Sequence, residues 1–310
     1  WKSDLQIPNG VTWEPAFSVE MDWILADAVR RHFTNDNAGR EGVLIRAVTR
    51  GIEQKPLIEN LKKQARFNGM SDDDILEATR LDVLEGGYWL ANHEGYEGYA
   101  PGDNVVNLFV MGALAPEALK AAEKLQEEGI FANICVITSP DLLIGTPARE
   151  NNYSHLRNKL GVNANLYLRP TQSVPVGKLD LGGNRIHVST QADLLSMRGS
   201  RIPAVAICDG EAGLLDNIGS IVGVPQETLA VRKHSKSGRP TDVYKYHHLD
   251  PDSIAHSAIA ILEQAASEEI LVTTSALPEG ASTGLVQAES SDSDGGGYSS
   301  PATDEDTTRH

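Results

Sequence analysis

The sequence predicts an α/β protein with a mostly parallel sheet covered by helices on both faces. Short apolar runs recur along the chain, amphipathic segments of helical period alternate with them, and glycine or proline marks many of the changeovers. Pro15 to Phe33 opens the series. Phe17, Met21, Ile24, Leu25, Ala28 and Val29 share one helical stripe, and Pro15 suits a first turn, so a core-facing helix is expected. GVLIRAVTR, residues 42–50, is short, β-branched and flanked by glycines, as a buried parallel strand should be.

Residues 53–85 carry mixed charge at helical spacing and read as a linker, with Ser71 and Asp72 placed to cap its second helix. The Gly- and Tyr-rich stretch GYWLANHEGYEGYAPGDN reads as an edge strand and a turn. VVNLFVMG, PEALKAAEKLQEEG and ANICVITS then form a βαβ signature, its helix opened by Pro116. After an irregular stretch from about 139 to 202, PAVAICDG, GLLDNIGSIVG and ETLAVRKH repeat strand, helix and strand. A last helix begins with Asp250 as cap and Pro251 as first residue, and buries Ile254, Ala258, Ile261, Leu262 and Ala265. From about Ser275 the composition turns to serine, glycine, threonine and acid, and this tail is expected to be disordered.

Composition narrows the function. Lysine and arginine number 27 against 43 acids, a formal charge of −16, which argues against a nucleic-acid or anionic-membrane partner. No apolar run is long enough to span a membrane, and WKSDLQIPNG lacks the regions of a signal peptide, so a cytoplasmic location is expected. The first residue, Trp1, suggests a cut from something longer. Cys135 and Cys208 lie in apolar runs without metal or disulfide spacing and read as reduced core residues.

The candidate sites are strand ends, where open α/β sheets place functional groups. Thr49 and Arg50 end the first strand. An arginine there can hold a carboxylate or phosphate, or it can serve a structural ion pair. Ser139 and Asp141 end the strand containing Cys135, and Asp209 and Glu211 follow Cys208. The last two acids would repel a pyrophosphate, and no GxGxxG spacing occurs, so a nicotinamide or flavin site is disfavoured. They can equally satisfy the free amides of a helix start. His234 sits among Arg232, Lys233, Lys236 and Arg239, a basic cluster suited to an anion or an acidic partner, or a solvated loop. His247 and His248 are adjacent, which on a strand directs their rings to opposite faces, so no metal site is expected there. No GxSxG-type nucleophile context occurs.

The order of these segments resembles a known family. IPNGVTWEPAFSVEMDWIL followed by LIRAVTRGIEQ is similar to the end of a transketolase-type pyrimidine-binding domain. VVNLFVMGALAPEALKAAEKL, GIFANICVITSPDLL, AVAICDGEAGLLDNIGSIVGV and DVYKYHHLDPDSI resemble, in order, the carboxy-terminal α/β domain of the same family. The likeness covers residues 7 to about 265. Within the family it is nearest to the homodimeric, acetyl-transferring pyruvate dehydrogenase component of 2-oxoacid dehydrogenase complexes.

The resemblance implies that residues 1–66 end a thiamine-diphosphate pyrimidine-binding domain. Residues 67–103 are then a linker and edge strand, 104–274 a transketolase C-terminal-like domain, and 275–310 an acidic tail. It implies an enzyme that decarboxylates a 2-oxoacid on thiamine diphosphate and Mg2+ and passes the acyl group to a lipoyl carrier. The expected partners are a second copy or a complementing subunit carrying the diphosphate-binding domain, and a lipoyl acyltransferase. The family's Gly-Asp-Gly motif and activating glutamate are not found in this sequence, so no catalytic residue or metal ligand is carried over. What carries over is Arg50, with Thr49 beside it. AVTRGIEQ is similar to the transketolase segment whose arginine contacts the substrate's phosphate at the active-site mouth. A non-catalytic docking module and a transketolase-type transferase subunit are the alternatives.

Overall fold

The computed structural model describes residues 10–33, 42–145, 151, 153–162, 178–181, 184–187, 201–234 and 236–274. In chain order the first elements are β1 (Gly10–Trp13), α1 (Ser18–Phe33), β2 (Gly42–Ile45), α2 (Lys55–Leu61), α3 (Asp72–Leu84) and β3 (Gly87–Ala91). Then come β4 (Val105–Met111), α4 (Ala115–Glu127), β5 (Phe131–Ile137), α5 (Pro140–Leu143), a π-helical turn at His155–Lys159, and the strand pair β6 (Lys178–Leu181) and β7 (Asn184–His187). The chain continues through β8 (Ala204–Ile207), α6 (Ile218–Val222), β9 (Gln226–Leu229), α7 (Pro240–His247) and α8 (Pro251–Thr274).

The main sheet has the order β3-β5-β4-β8-β9. Its three pairings from β5 to β9 are parallel, and β3 closes one edge antiparallel to β5. The fold is therefore mixed α/β with a mostly parallel five-stranded sheet, and the glycine-tyrosine segment supplies the edge strand expected of it. β4 and β5 are buried nearly throughout because they face apolar layers on both sides. Alternate residues divide between two cores. Val106, Leu108, Val110, Ile134 and Val136 pack with α1 to α4 and α8, whereas Phe109, Met111, Cys135 and Ile137 pack with Leu143, Leu156, Leu214 and Ile218. Both cysteines are free and buried.

The helices start and stop where local chemistry dictates. The Ser71 hydroxyl accepts the Asp74 amide at 3.2 Å and begins α3. Pro116 lies in the first turn of α4. Asp250 accepts from both the Ser253 amide (3.4 Å) and the Ser253 hydroxyl (2.7 Å) at the head of α8, whose Ile254, Ala258, Ile261 and Leu262 are buried as the stripe predicts. No helix among the described residues is long and apolar enough to cross a membrane.

Four expectations change. The stripe of α1 is rotated: Glu20, Ile24 and Asp27 are its buried residues, while Leu25 and Val29 are 46% and 55% exposed. β2 is also exposed and ends at Ile45, so Thr49 and Arg50 follow it in an irregular segment. The exposure of β2 has a local cause. β1 and β2 form a two-stranded parallel sheet, a form that persists only when neighbours cover its faces, and no described residues extend it. Third, the segment around His247 is helical, because Pro240 fixes a first turn and Tyr244 finds cover. His247 ends α7, and His248 caps it with a left-handed φ of 59°. Fourth, the helix expected over 213–223 shortens to α6, which ends at Gly223 with φ of 72°. The acidic tail from 275 lies outside the described residues.

The exposed stripe makes a prediction. Substituting Val29→Glu and Phe33→Ser, at side chains 55% and 80% exposed, should leave the melting temperature within about 2 °C and reduce self-association of the isolated chain. Thermal unfolding with light scattering checks both effects. A drop of roughly 5 °C or more would show that α1 is buried in solution.

Candidate functional site

The sheet order reverses beside β4. The chain leaves β4 for β5 on one side and later returns as β8 on the other, so the carboxyl ends of β4 and β8 flank a topological switch point. Gly112 follows β4 there with φ of +46°, and its lack of a side chain matters: a Cβ would lie 2.2 Å from Glu14 Oε1. Glu14 is thus laid across the end of β4. Its backbone amide also donates to Thr138 O at 2.8 Å, at the end of β5.

Around this point gather Glu14, Arg46, Arg50, Glu117, Asp209 and Tyr244. Glu14 is buried, and Arg46 Nε lies 3.8 Å from its Oε2. Burial pushes the Glu14 carboxyl up to about 8; the charge of Asp209 adds to the rise, and Arg46 opposes it. Asp209 is exposed at the rim, yet protein crowded around its carboxyl raises its pKa, again against Arg46. At neutral pH, then, Glu14 holds its proton. The site can bind and release a proton near neutrality.

Arg50 is committed to structure. Its Nη1 and Nη2 each lie 3.0 Å from Glu117 Oε1, with Nη1 also 3.4 Å from Ala113 O, and its Cζ lies 5.5 Å from the centroid of the Tyr244 ring. Glu117 is buried in the first turn of α4, so the pair ties the segment after β2 to the sheet helix. Arg50 also borders a groove of about 750 Å3 between α2 and α4, which Lys63, His93, Tyr96, Leu119 and Phe131 help to line. His93 Nδ1 is buried there without a hydrogen-bond partner, and burial lowers the His93 pKa.

The other expected residues disperse. Thr49 is exposed beside Arg50. The Ser139 hydroxyl accepts the Leu142 amide at 3.4 Å as the cap of α5, and Asp141 Oδ2 accepts the Thr12 amide at 2.6 Å, pinning β1 against the sheet. Glu211 is exposed next to a 3-10 turn and makes no capping bond. His234 is exposed on the far side of β9 among the basic residues. Of the expected set, Arg50 and Asp209 are brought to the switch point. Sequence reasoning missed Glu14, Arg46, Glu117 and Tyr244. Glu117 was findable as an acid in the first turn of a helix that follows a strand end, whereas Glu14 and Tyr244 arrive from positions distant in sequence.

Two outcomes follow from these contacts. The raised Glu14 pKa means that the folded state holds this proton more tightly than the unfolded state does. The stability it contributes is therefore complete below the ordinary carboxyl range and lost as pH rises through about 8. Glu14→Gln should flatten that fall, which unfolding curves of both proteins from pH 5 to 9 would reveal. Parallel curves would mean that Glu14 titrates normally. Arg50→Ala should cost about 2 kcal/mol by stranding the Glu117 carboxylate, and a second change, Glu117→Gln, should recover most of it. Denaturant unfolding of the double-mutant cycle reads the coupling, and additive losses would exclude it.

No family model matches the chain, and no curated protein is similar to it in sequence. Among solved structures it is similar to transketolases. The Pichia stipitis transketolase complex with sedoheptulose 7-phosphate aligns at 14% identity and a TM-score of 0.46, over 84% of this chain and 26% of that one. Transketolase from Campylobacter jejuni aligns at 11% and 0.43, over 83% and 27%. An inactive β4 tetramer of a split-gene transketolase aligns at 14% and 0.46, over 84% of this chain and 60% of that one. The chain spans about a quarter of the length of the two former proteins.

Proposed function

We propose that the chain is the carboxy-terminal part, or a separately encoded subunit, of a thiamine-diphosphate 2-oxoacid dehydrogenase of the pyruvate type. The observation that carries the incompleteness is the exposure of apolar residues on β2 and on α1. Val43 and Leu44 are exposed on a two-stranded parallel sheet, and Leu25, Val29 and Phe33 are exposed at four-residue spacing on α1. Such a sheet is a fragment of a larger one, and its apolar faces fit the remaining strands and helices of a pyrimidine-binding domain. The ordered segments IPNGVTWEPAFSVEMDWIL to DVYKYHHLDPDSI support the choice of family and of the pyruvate branch.

The described residues do not fit as the cofactor's own binding set. Asp141 is spent on the Thr12 amide, Glu117 on Arg50, and Glu14 is protonated at neutral pH. Among the described residues no three His, Cys, Asp or Glu side chains are grouped to hold a metal. Thiamine diphosphate, its divalent metal and the activating glutamate therefore belong to the complementing part, and no chemical step is assigned to this chain. Its own role is to complete the pyrimidine-domain sheet and to present the carboxy-terminal domain to the second subunit and to the lipoyl acyltransferase.

Co-expression with a polypeptide that carries the Gly-Asp-Gly motif and the activating glutamate tests the reading. The reconstituted complex should convert pyruvate to acetyl-dihydrolipoamide, whereas this chain alone should not. Consumption of sugar phosphates by ketol transfer, without acetyl-dihydrolipoamide, would assign the chain to a transketolase-type transferase instead. No complex with any such polypeptide would overturn the proposal.

A further inference from the structure

Acidic as the chain is, it neutralises cations closely over much of its surface. Arg31, Arg50, Lys62, Arg66, Arg80 and Lys124, spread over several elements, each have a carboxylate oxygen within 3.0 Å. The segment between β9 and α7 departs from this pattern. Arg232, Lys233, Lys236 and Arg239 fall within eight residues and are all exposed. No described carboxylate lies within 4.0 Å of any of them. His234 lies in the same run, and Asp242, in the first turn of α7, is the acid nearest in sequence.

The cations are held rather than splayed. Lys236 Nζ lies 4.1 Å and Lys233 Nζ 5.3 Å from the centroid of the Tyr246 ring, and Lys233 Nζ is 3.4 Å from His248 Nε2. Arg232 Nη2 donates to Thr228 O at 3.1 Å. Cation–π contacts thus collect two ammonium groups on one ring of α7. Like charges gathered in this way repel each other until an anion joins them. The face fits an extended acidic peptide, with several carboxylates and little apolar content.

Such a peptide lies in this chain. Residues 275–310 carry seven acids and one arginine, and six of the acids are grouped as Glu289, Asp292 and Asp294 and then Asp304, Glu305 and Asp306. We propose that this acidic carboxy-terminal segment docks on the basic face that Lys233 and Lys236 form at Tyr246 of the same chain, with Arg232 and Arg239 flanking them in sequence. Reach permits it. α8, with 24 residues, is about 36 Å long, and the 15 residues from Ser275 to Glu289 can span up to about 50 Å. Tethering raises the local concentration of the segment to the millimolar range, which separate acidic proteins seldom match, so weak exposed ion pairs are sufficient. The rest of the chain has a net charge of −10 and repels the segment, which leaves the basic face as its favoured seat.

The full chain tests the proposal. A fluorophore on a Ser293→Cys variant labels the segment alone, since Cys135 and Cys208 are buried. Its anisotropy should fall clearly between 25 and ~500 mM salt, because screening weakens exposed pairs. Lys233→Glu with Lys236→Glu should give the low value at every salt concentration, and adding Asp292→Lys with Asp294→Lys should restore the high one. Carbodiimide coupling of the unlabelled chain should join Lys233 or Lys236 to acids between 289 and 306 within monomers. Three results would overturn docking in the same chain: anisotropy indifferent to the lysine reversal, coupling spread equally over other lysines, or coupling found in dimers alone.

Discussion

The seat of α1 on the main sheet depends on one buried carboxyl group. Glu20 Oε2 accepts the amides of Ala16 and Phe17 at 2.6 and 3.2 Å, and the Tyr88 hydroxyl donates to Oε1 at 2.5 Å. The first two bonds close the start of α1 in the manner of a capping box, and the third bolts that helix end to β3. Burial pushes the Glu20 carboxyl up to about 7, and the Tyr88 and backbone bonds pull against it. A group this buried is tolerable only with its acceptor sites filled. From this anchor follow the placements of Phe17 and Ile24 in the core, of β1 beside α5, and of Glu14 over Gly112.

The switch point is consequently filled by the chain itself. In an open α/β sheet the carboxyl ends of strands that diverge leave a crevice for a ligand. Here Glu14, the Arg50–Glu117 pair and Tyr244 occupy that place, and Gly112 is bare enough to admit Glu14. Arg50 is thereby a clamp between the segment after β2 and α4.

Two surfaces remain unsatisfied, and they differ in kind. The exposed residues of α1 and of β2 are apolar and call for packed elements that exclude water. The face around Tyr246 is cationic and calls for carboxylates, which bind through screened charge and need no close packing. The first points to assembly of the protein, the second to a reversible contact on a completed domain.

The sequence by itself determined the alternation of strand and helix, the edge position of the glycine-tyrosine segment, and the starts of α3, α4 and α8. These depend on local causes: apolar period, Ser71 and Asp250 as caps, and Pro116 and Pro251 in first turns. Only the tertiary structure decided which stripe of α1 is buried. Leu25 and Val29 have the right period, but Glu20 and Asp27 take the inner face because Tyr88, Arg30 and Arg31 supply them with partners. The same holds for the site. Arg50 was legible as a strand-end cation, yet its pairing with Glu117, and the electrostatic coupling of Glu14 to Asp209, depend on contacts between residues far apart in the chain, which no local pattern encodes.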